Sequence, residues 1–488
     1  MTSPHDSTHA RRWLILLILG LGQLMVILDA TVVNIALPSA QRALHFSAAD
    51  RQWIVTAYTL AFGGLLLPAG RIADLVGRKV TFIAGLVGFA SASALGGASG
   101  SLAMLIGARA LQGLFAAFLA PSALALVSAT FTDADERRRA FGIFGAIGVG
   151  GGAVGLLLGG VLTAYASWRW CLYVNVPIAA SGAIALLRDP RRAAAPSLDI
   201  PGTITAFVGL VALVYGVSQA GTHGWSGTST LGFIGLGVAL LAVFVAIEQR
   251  VARPLLPLRI VLDRTRGGAL LALGVDSAGL LSVFLFLTYY LQQNLGLSPV
   301  MTGLAFLPAP VATAIGATQG STRLANRFDA RRVIPVGMAL AAAGLVWLAQ
   351  LGPHSPYATG VLPSLVVMSF GLGCVTGLAM GVATFGADPA DTGVASAAVN
   401  TMQQIGGSLG TALLSTVAVS AAASLLATGR HTPQVLARAS AHGYTSALWC
   451  SAALIAAGSI VSARLLRMQS RPLAQSDDAN AAEPATAG

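Results

Sequence analysis

The chain has 488 residues, of which 55% are hydrophobic and 10% charged, with 57 glycines and a formal net charge of +11. Soluble domains carry about 25% charged residues, so there are too few charges here to coat the surfaces a soluble chain of this length would expose. Its apolar content excludes disorder, its glycines lack a three-residue period, and its three cysteines make no disulfide scaffold, which leaves a polytopic membrane protein.

Apolar runs of about 18–25 residues, long enough to span a bilayer as helices, recur along the chain. They fall at about 13–37, 52–70, 80–99, 102–127, 140–163, 170–187, 200–220, 230–247, 268–292, 300–320, 333–351, 358–382, 401–424 and 444–466. The expected fold is therefore an all-α membrane protein of fourteen spans. The first run is too long for the apolar region of a signal peptide and reads as an uncleaved span.

Basic residues set the expected orientation. With a cytoplasmic N-terminus, 23 of the 29 Lys and Arg residues fall on inner segments, among them Arg11, Arg12, Arg71, Arg78, Lys79, Arg137 to Arg139, Arg188, Arg191 and Arg192. Outer segments hold Arg42, Arg51, Arg169, Arg430 and Arg438, and Arg109 lies within a span. This bias places both termini in the cytoplasm. The basic residues are dispersed between apolar runs without an aromatic platform, so the charge reflects topology and no nucleic-acid partner is expected.

A weak internal repeat is visible. Leu44-His45-Phe46-Ser47 returns as Leu295-Gly296-Leu297-Ser298, and Arg71-Ile72-Ala73-Asp74 returns as Arg323-Leu324-Ala325-Asn326. Span 2 then corresponds to span 10, the shift expected of two parallel six-span bundles with two spans inserted between them. The expected organisation is a cytoplasmic tail (1–12), a first bundle (13–190), two inserted helices with linkers (191–266), a second bundle (267–466) and a disordered cytoplasmic tail (467–488).

The loop after span 2 reads Gly70-Arg71-Ile72-Ala73-Asp74-Leu75-Val76-Gly77-Arg78-Lys79. It offers a tight turn at Gly77, with Asp74 and Arg78 at helix ends where dipoles can be engaged. Span 1 ends Leu28-Asp29-Ala30-Thr31-Val32-Val33-Asn34, span 4 carries Arg109-Ala110-Leu111-Gln112-Gly113, and after span 5 come Trp168-Arg169-Trp170 and Asn175-Val176-Pro177. Later segments are Tyr290-Leu291-Gln292, Ser298-Pro299 and the run Asn400 to Gly410. Together these resemble the major facilitator superfamily and, within it, the fourteen-span drug/proton antiporter branch of the EmrB/QacA type, over roughly residues 13–466. Span 5 departs from the branch's antiporter motif, with Leu156 where proline is expected. Its glycines Gly151, Gly155, Gly159 and Gly160 remain, at spacings suited to close helix packing.

The resemblance implies proton-coupled efflux of hydrophobic or cationic drugs across a bacterial inner membrane by alternating access, with Gly70, Asp74, Gly77 and Arg78 as the inner gate. Asp29 and Asp276 are the two acids clearly inside spans, where ionisable groups are costly and mark function. By helical rise Asp29 lies roughly 24 Å above the start of span 1 and Arg109 roughly 10 Å below the outer surface. The two are expected to face each other across a cavity, with Arg109 tuning an Asp29 that binds a proton or a cationic substrate. Asp276 lies outside the matched motifs and is expected to line the same cavity from the second bundle. All seven histidines fall in loops or tails, and no nucleophile–base set appears, so no metal, cofactor or enzyme activity is expected. The expected partners are protons, small-molecule substrates and lipid, and nothing in the sequence indicates a periplasmic adaptor. A transporter dedicated to one endogenous metabolite, or a membrane sensor, are the other classes compatible with these features.

Overall fold

The computed structural model describes residues 4–48, 50–131, 133–185, 199–251, 254–324, 327–352, 355–384, 392–426 and 432–466, and every regular element among them is helical. A bilayer offers no water to backbone polar groups, so a spanning segment must satisfy them internally, as a helix does. Thirteen helices among the described residues are long and apolar enough to cross a membrane. The predicted sixth span is represented by a shorter apolar stretch, Trp170–Ala180.

The first group of helices is α1 (Pro4–Leu44), α2 (Arg51–Val76), α3 (Arg78–Gly97), α4 (Leu102–Thr130), α5 (Ala134–Tyr165), α6 (Trp170–Tyr173) and α7 (Asn175–Ala185). A hairpin follows, α8 (Ile200–His223) and α9 (Thr228–Glu248), then the short α10 (Leu258–Leu262). The last group is α11 (Arg264–Tyr289), α12 (Pro299–Phe306), α13 (Pro308–Gln319), α14 (Ala330–Leu348), α15 (Leu362–Thr384), α16 (Thr392–Leu426) and α17 (Pro433–Leu465). Single π-helical turns extend α11 and α13 and precede α15.

Several ends differ from the hydropathy reading. α1 starts at Pro4, so residues 4–12, expected as a tail, continue the first helix; proline is compatible with a first helical turn because its missing N–H has no partner there. α17 starts eleven residues before the predicted apolar run, where the Thr432 side chain accepts a hydrogen bond from the Val435 amide and Pro433 follows the cap. The tenth predicted span contains two helices, α12 and α13, meeting at Leu307 before Pro308, which cannot donate to the helical ladder. The tail 467–488, Asn326 of the repeat, and Arg188, Arg191, Arg192 and Arg430 lie outside the described residues.

The repeat is written in the backbone. His45 has φ 54° and Gly296 φ 67°, a left-handed residue at the same repeat position in each half. The Ser47 hydroxyl then accepts from the Asp50 amide (3.3 Å), as the Ser298 hydroxyl does from the Met301 amide (3.3 Å), each preparing the next helix.

Packing separates the two groups. α4 lies on α2 and α3, and α1 lies on α5 and α7; in the second group α11 lies on α15, α16 and α17, and α15 on α13 and α14. The groups touch along α2–α16 and α5–α12. The hairpin straddles the first of these seams: α8 packs on both α2 and α16, through Leu60, Leu210, Val214 and Ala412. Its outer helix α9 leaves Leu231 and Val238 more than half exposed, the surface a lipid environment would cover.

The α2–α4 contact is close at Gly113. A Cβ there would press on the Tyr58 carbonyl and lie 3.0 Å from the Phe62 amide nitrogen, both backbone atoms that cannot step aside. Gly113→Leu is expected to destabilise the protein by about 1–3 kcal/mol, the usual cost of overpacking a tight contact. The melting temperature of the detergent-solubilised variant is the measurement, and a parental value would show that these helices part freely.

Candidate functional site

Helix α2 orders the site along the molecule. Its 26 residues rise roughly 39 Å, and each level meets a different set of partners.

At the Arg51 end the two groups of helices are joined. The Arg51 guanidinium is buried, lies 4.3 Å from the Tyr289 ring centre on α11, and donates to the Tyr444 hydroxyl on α17 at 3.2 Å. Among the described residues no carboxylate pairs with it; aromatic faces hold the charge instead. Nearby, Gln292 donates to the Ile35 carbonyl at 3.0 Å, linking α1 to the turn that ends α11. The sequence placed Arg51 on an outer segment, and its burial is set by tyrosines more than 200 residues away.

One and two turns further along α2, Ile54 and Tyr58 meet a polar cage inside the first group. Asp29 on α1 and Arg109 on α4, 0% and 2% exposed, form a direct ion pair. Arg109 also donates to the Ile54 carbonyl (3.1 Å) and the Gln112 side-chain oxygen (2.9 Å), with its guanidinium over the Tyr58 ring at 4.3 Å. The other Asp29 oxygen accepts from Gln112 (2.8 Å) and from Asn175 of α7 (2.9 Å), and both amides also donate to the Ser93 hydroxyl of α3. The predicted partners thus come together, but in contact and sealed, rather than across a cavity. The reason is chemical: at this depth a carboxylate and a guanidinium each need a partner, and they find it in one another and in three neutral side chains, with only the Asn175 Oδ1 of the cage left unpartnered among the described residues. Gln112 and Asn175 were visible in the motifs. Ser93 and Tyr58 carried no sequence signal, since a serine and a tyrosine inside apolar spans are ordinary.

Deeper along α2 the seam is tight. A Cβ at Gly63 would lie 2.5 Å from the Gln404 Cβ of α16, and the Thr59 and Ser408 hydroxyls are 2.7 Å apart. On the opposite seam a Cβ at Gly160 would lie 2.7 Å from the Pro299 carbonyl, and one at Gly303 2.5 Å from the Leu156 carbonyl. Gly151 and Gly159 face α1, at Leu24 and Val32, and Gly155 faces Thr31. The position that lacks the motif's proline, Leu156, is therefore where α5 receives α12.

At the Gly70 end the molecule opens into a cavity of about 1070 Å³, bounded by α2, α4, α16, Phe141 of α5 and the segment leading into α10. Gly70, Asp74 and Arg78 line it. Gly77 makes the turn with φ 109°, a conformation glycine adopts without a Cβ clash. Arg78 donates to Asp74 at 3.2 Å across one helical turn, a pair whose side chains are each about 40% exposed. Arg71, beside them, donates to the Pro254 carbonyl at 2.7 Å.

Asp276 lies apart from all of this. It is 4% exposed on α11, accepts from the Thr376 hydroxyl of α15 at 2.9 Å, and has its second oxygen unpartnered. Among the described residues no cation pairs with it. Neither Asp29 nor Asp276 lines the cavity, so the expectation that both acids face one chamber is corrected: each belongs to its own group of helices. Among the described residues no cluster of His, Cys, Asp and Glu is arranged to hold a metal ion.

The profile of the Major Facilitator Superfamily matches residues 19–411. The puromycin resistance protein of Streptomyces alboniger is 48% identical over 443 residues, covering 90% of this chain and 88% of that protein. The cephamycin export protein of Amycolatopsis lactamdurans is 40% identical over 400 residues, covering 80% of this chain and 82% of its own length. The fold is similar to that of a bacterial homolog of the human lysosomal transporter Spinster, with TM-score 0.67 and 17% identity, covering 96% of this chain and 98% of that one.

Proposed function

From a chain that belongs to the major facilitator superfamily, we propose an exporter of amphipathic antibiotics and drugs across the bacterial cell membrane, driven by protons and lacking enzymatic activity. The observation that carries this reading is the likeness along nearly the full chain to a resistance protein and an export protein. The cavity agrees with it: a chamber with apolar walls and charged groups at its mouth, Arg71, Asp74, Arg78 and Arg259, with a closed seam at the far end, is one state of an alternating-access cycle. The Gly70 end and both termini face the cytoplasm in this reading. The two bundles expected over 13–190 and 267–466 rock against each other, with the α8–α9 hairpin riding on the α2–α16 seam. Release requires the Arg51 aromatic clasp and the Gln292–Ile35 bond to part.

In this cycle Asp276 carries the proton. It is a buried acid with one hydroxyl donor and, among the described residues, no cation, and loading a proton removes a charge that is costly at that depth. The Asp29–Arg109 cage braces the first bundle and keeps α1, α3, α4 and α7 moving as one body.

The test is expression in a drug-sensitive, efflux-deficient bacterium, with resistance to puromycin and to unrelated dyes measured beside energised efflux from everted vesicles. Resistance that a protonophore abolishes is expected, and absence of efflux for every compound would sink the reading. A second reading, an exporter dedicated to one compound, is favoured by the single antibiotics in both relatives' names. Transport confined to one member of the panel would select it.

The gate assignment has its own expected result. Asp74→Asn and Arg78→Ala should each lower turnover while leaving dye affinity unchanged, because the pair lies at the mouth and biases open against closed populations. Normal affinity together with the parental pumping rate would show that the pair has no gating role.

A further inference from the structure

The stretch between α9 and α11 was expected to be a linker, yet its residues 254–260 are held down and form a wall. The Glu248 carboxylate, 4% exposed at the end of α9, accepts the Leu255 amide at 3.2 Å and the Leu256 amide at 3.0 Å. Arg71 of α2 grips the Pro254 carbonyl at 2.7 Å. Leu255, Leu256 and Ile260 are buried, so the strap is packed down as well as hydrogen-bonded. Prolines at 254 and 257 stiffen it by fixing φ. Its far end runs through α10 into Asp263, whose side chain accepts the Arg266 amide and starts α11.

The inner surface of this strap is cavity surface. Pro254, Leu255, Pro257, Leu258 and Arg259 line the chamber, across from α2, α4 and α16. The wall is thus supplied by the inserted part of the chain rather than by either bundle, and a stiff, clamped wall has a fixed standoff from the helices facing it.

We propose that this strap is the substrate-selecting wall of the transporter: Pro257 and Leu258 contact the apolar body of an amphipathic substrate and set the largest body the chamber admits. The inference rests on the export reading and adds where selection is made. Enlarging Leu258 narrows the chamber for bulky substrates and leaves compact ones room, so affinity changes by substrate size rather than uniformly. One methylene in an apolar pocket discriminates by about 10- to 200-fold, and the lower end of that range is expected at a wall open on one side.

The experiment uses the full chain in membrane vesicles. Leu258→Cys is alkylated with N-ethylmaleimide with and without puromycin, modification at that position being read by peptide mass spectrometry. Leu262→Cys is the reference, since Leu262 is 73% exposed and does not line the cavity. Puromycin at about ten times its Kd is expected to slow alkylation at 258 about tenfold, the unliganded fraction falling to about a tenth, and to leave 262 unchanged. In transport assays, Leu258→Trp should raise KM for rhodamine 6G and puromycin about tenfold, with KM for ethidium and all kcat values kept. Equal protection at both positions, protection at neither, or one common shift in KM for every substrate would reduce the strap to a structural tie. Efflux of none of these compounds by the parental chain would overturn the export reading, and the strap's selecting role with it.

Discussion

Arg109→Ala is expected to abolish efflux and to remove most of the folded protein from the membrane. The substitution leaves Asp29 0% exposed and without the one cation that pairs with it among the described residues. Breaking a buried pair by deleting one partner costs about 3–5 kcal/mol, a large share of the roughly 5–15 kcal/mol that holds a typical protein folded. It also frees the Gln112 side-chain oxygen and the Ile54 carbonyl, so the loss spreads into α2. Asp29→Asn keeps the shape but sets an amide against donors and leaves the guanidinium uncompensated, and it should lower the melting temperature as well. The informative variant is the double one, Asp29→Leu with Arg109→Met, because replacing a whole buried pair by apolar groups is often neutral for stability. Recovery of folded protein and of pumping would identify the pair as a brace. Recovered fold without pumping would make it part of proton coupling. An Arg109→Ala protein that melts like the parent would show that the cage carries no structural load.

Asp276→Asn should leave the fold and substrate exchange intact while uncoupling export from the proton gradient. Asparagine keeps an acceptor for the Thr376 hydroxyl but cannot exchange a proton. Counterflow of labelled against unlabelled substrate in proteoliposomes is therefore retained. The substrate gradient driven by an imposed pH difference falls about tenfold for each pH unit per proton lost from the cycle, since each unit is worth 1.36 kcal/mol. If the lost proton also carried net charge, sensitivity to membrane potential drops by about 2.3 kcal/mol per 100 mV. Cationic and neutral dyes compared under the same potential separate these terms. Parental pH-driven accumulation by the variant would assign Asp276 a structural role and move the proton elsewhere.

The helices, their number to within one, and the parallel repeat were legible in the sequence because each depends on local properties. A long apolar run must be a helix in lipid, and the repeat shows in short runs of like residues, Leu44–Ser47 with Leu295–Ser298. The loop from Gly70 to Lys79 was legible for the same reason: Gly77 and the Asp74–Arg78 pair are neighbours along the chain. What could not be read was azimuth. Helical rise gave heights for Asp29 and Arg109, but height does not say whether two side chains point at one another or into a shared chamber. The Arg51 clasp depends on Tyr289 and Tyr444 from the other half of the molecule. The strap depends on Glu248 turning back onto amides seven and eight residues ahead, which no periodicity reports.

The joint between α5 and α12 carries a mechanical meaning. At Gly160 and Gly303 the two helices meet main chain to main chain, with Pro299 and Leu156 contributing carbonyls rather than side chains. Side chains that interlock must re-sort their rotamers whenever two surfaces swing past each other, and each re-sorting is a small barrier. Where main chain meets main chain at these two glycines there is no rotamer to re-sort, so in the proposed rocking cycle they are expected to act as a bearing of little play. A single methyl added at either glycine is then expected to brake the swing, lowering turnover in transport assays while the affinity for cargo is kept.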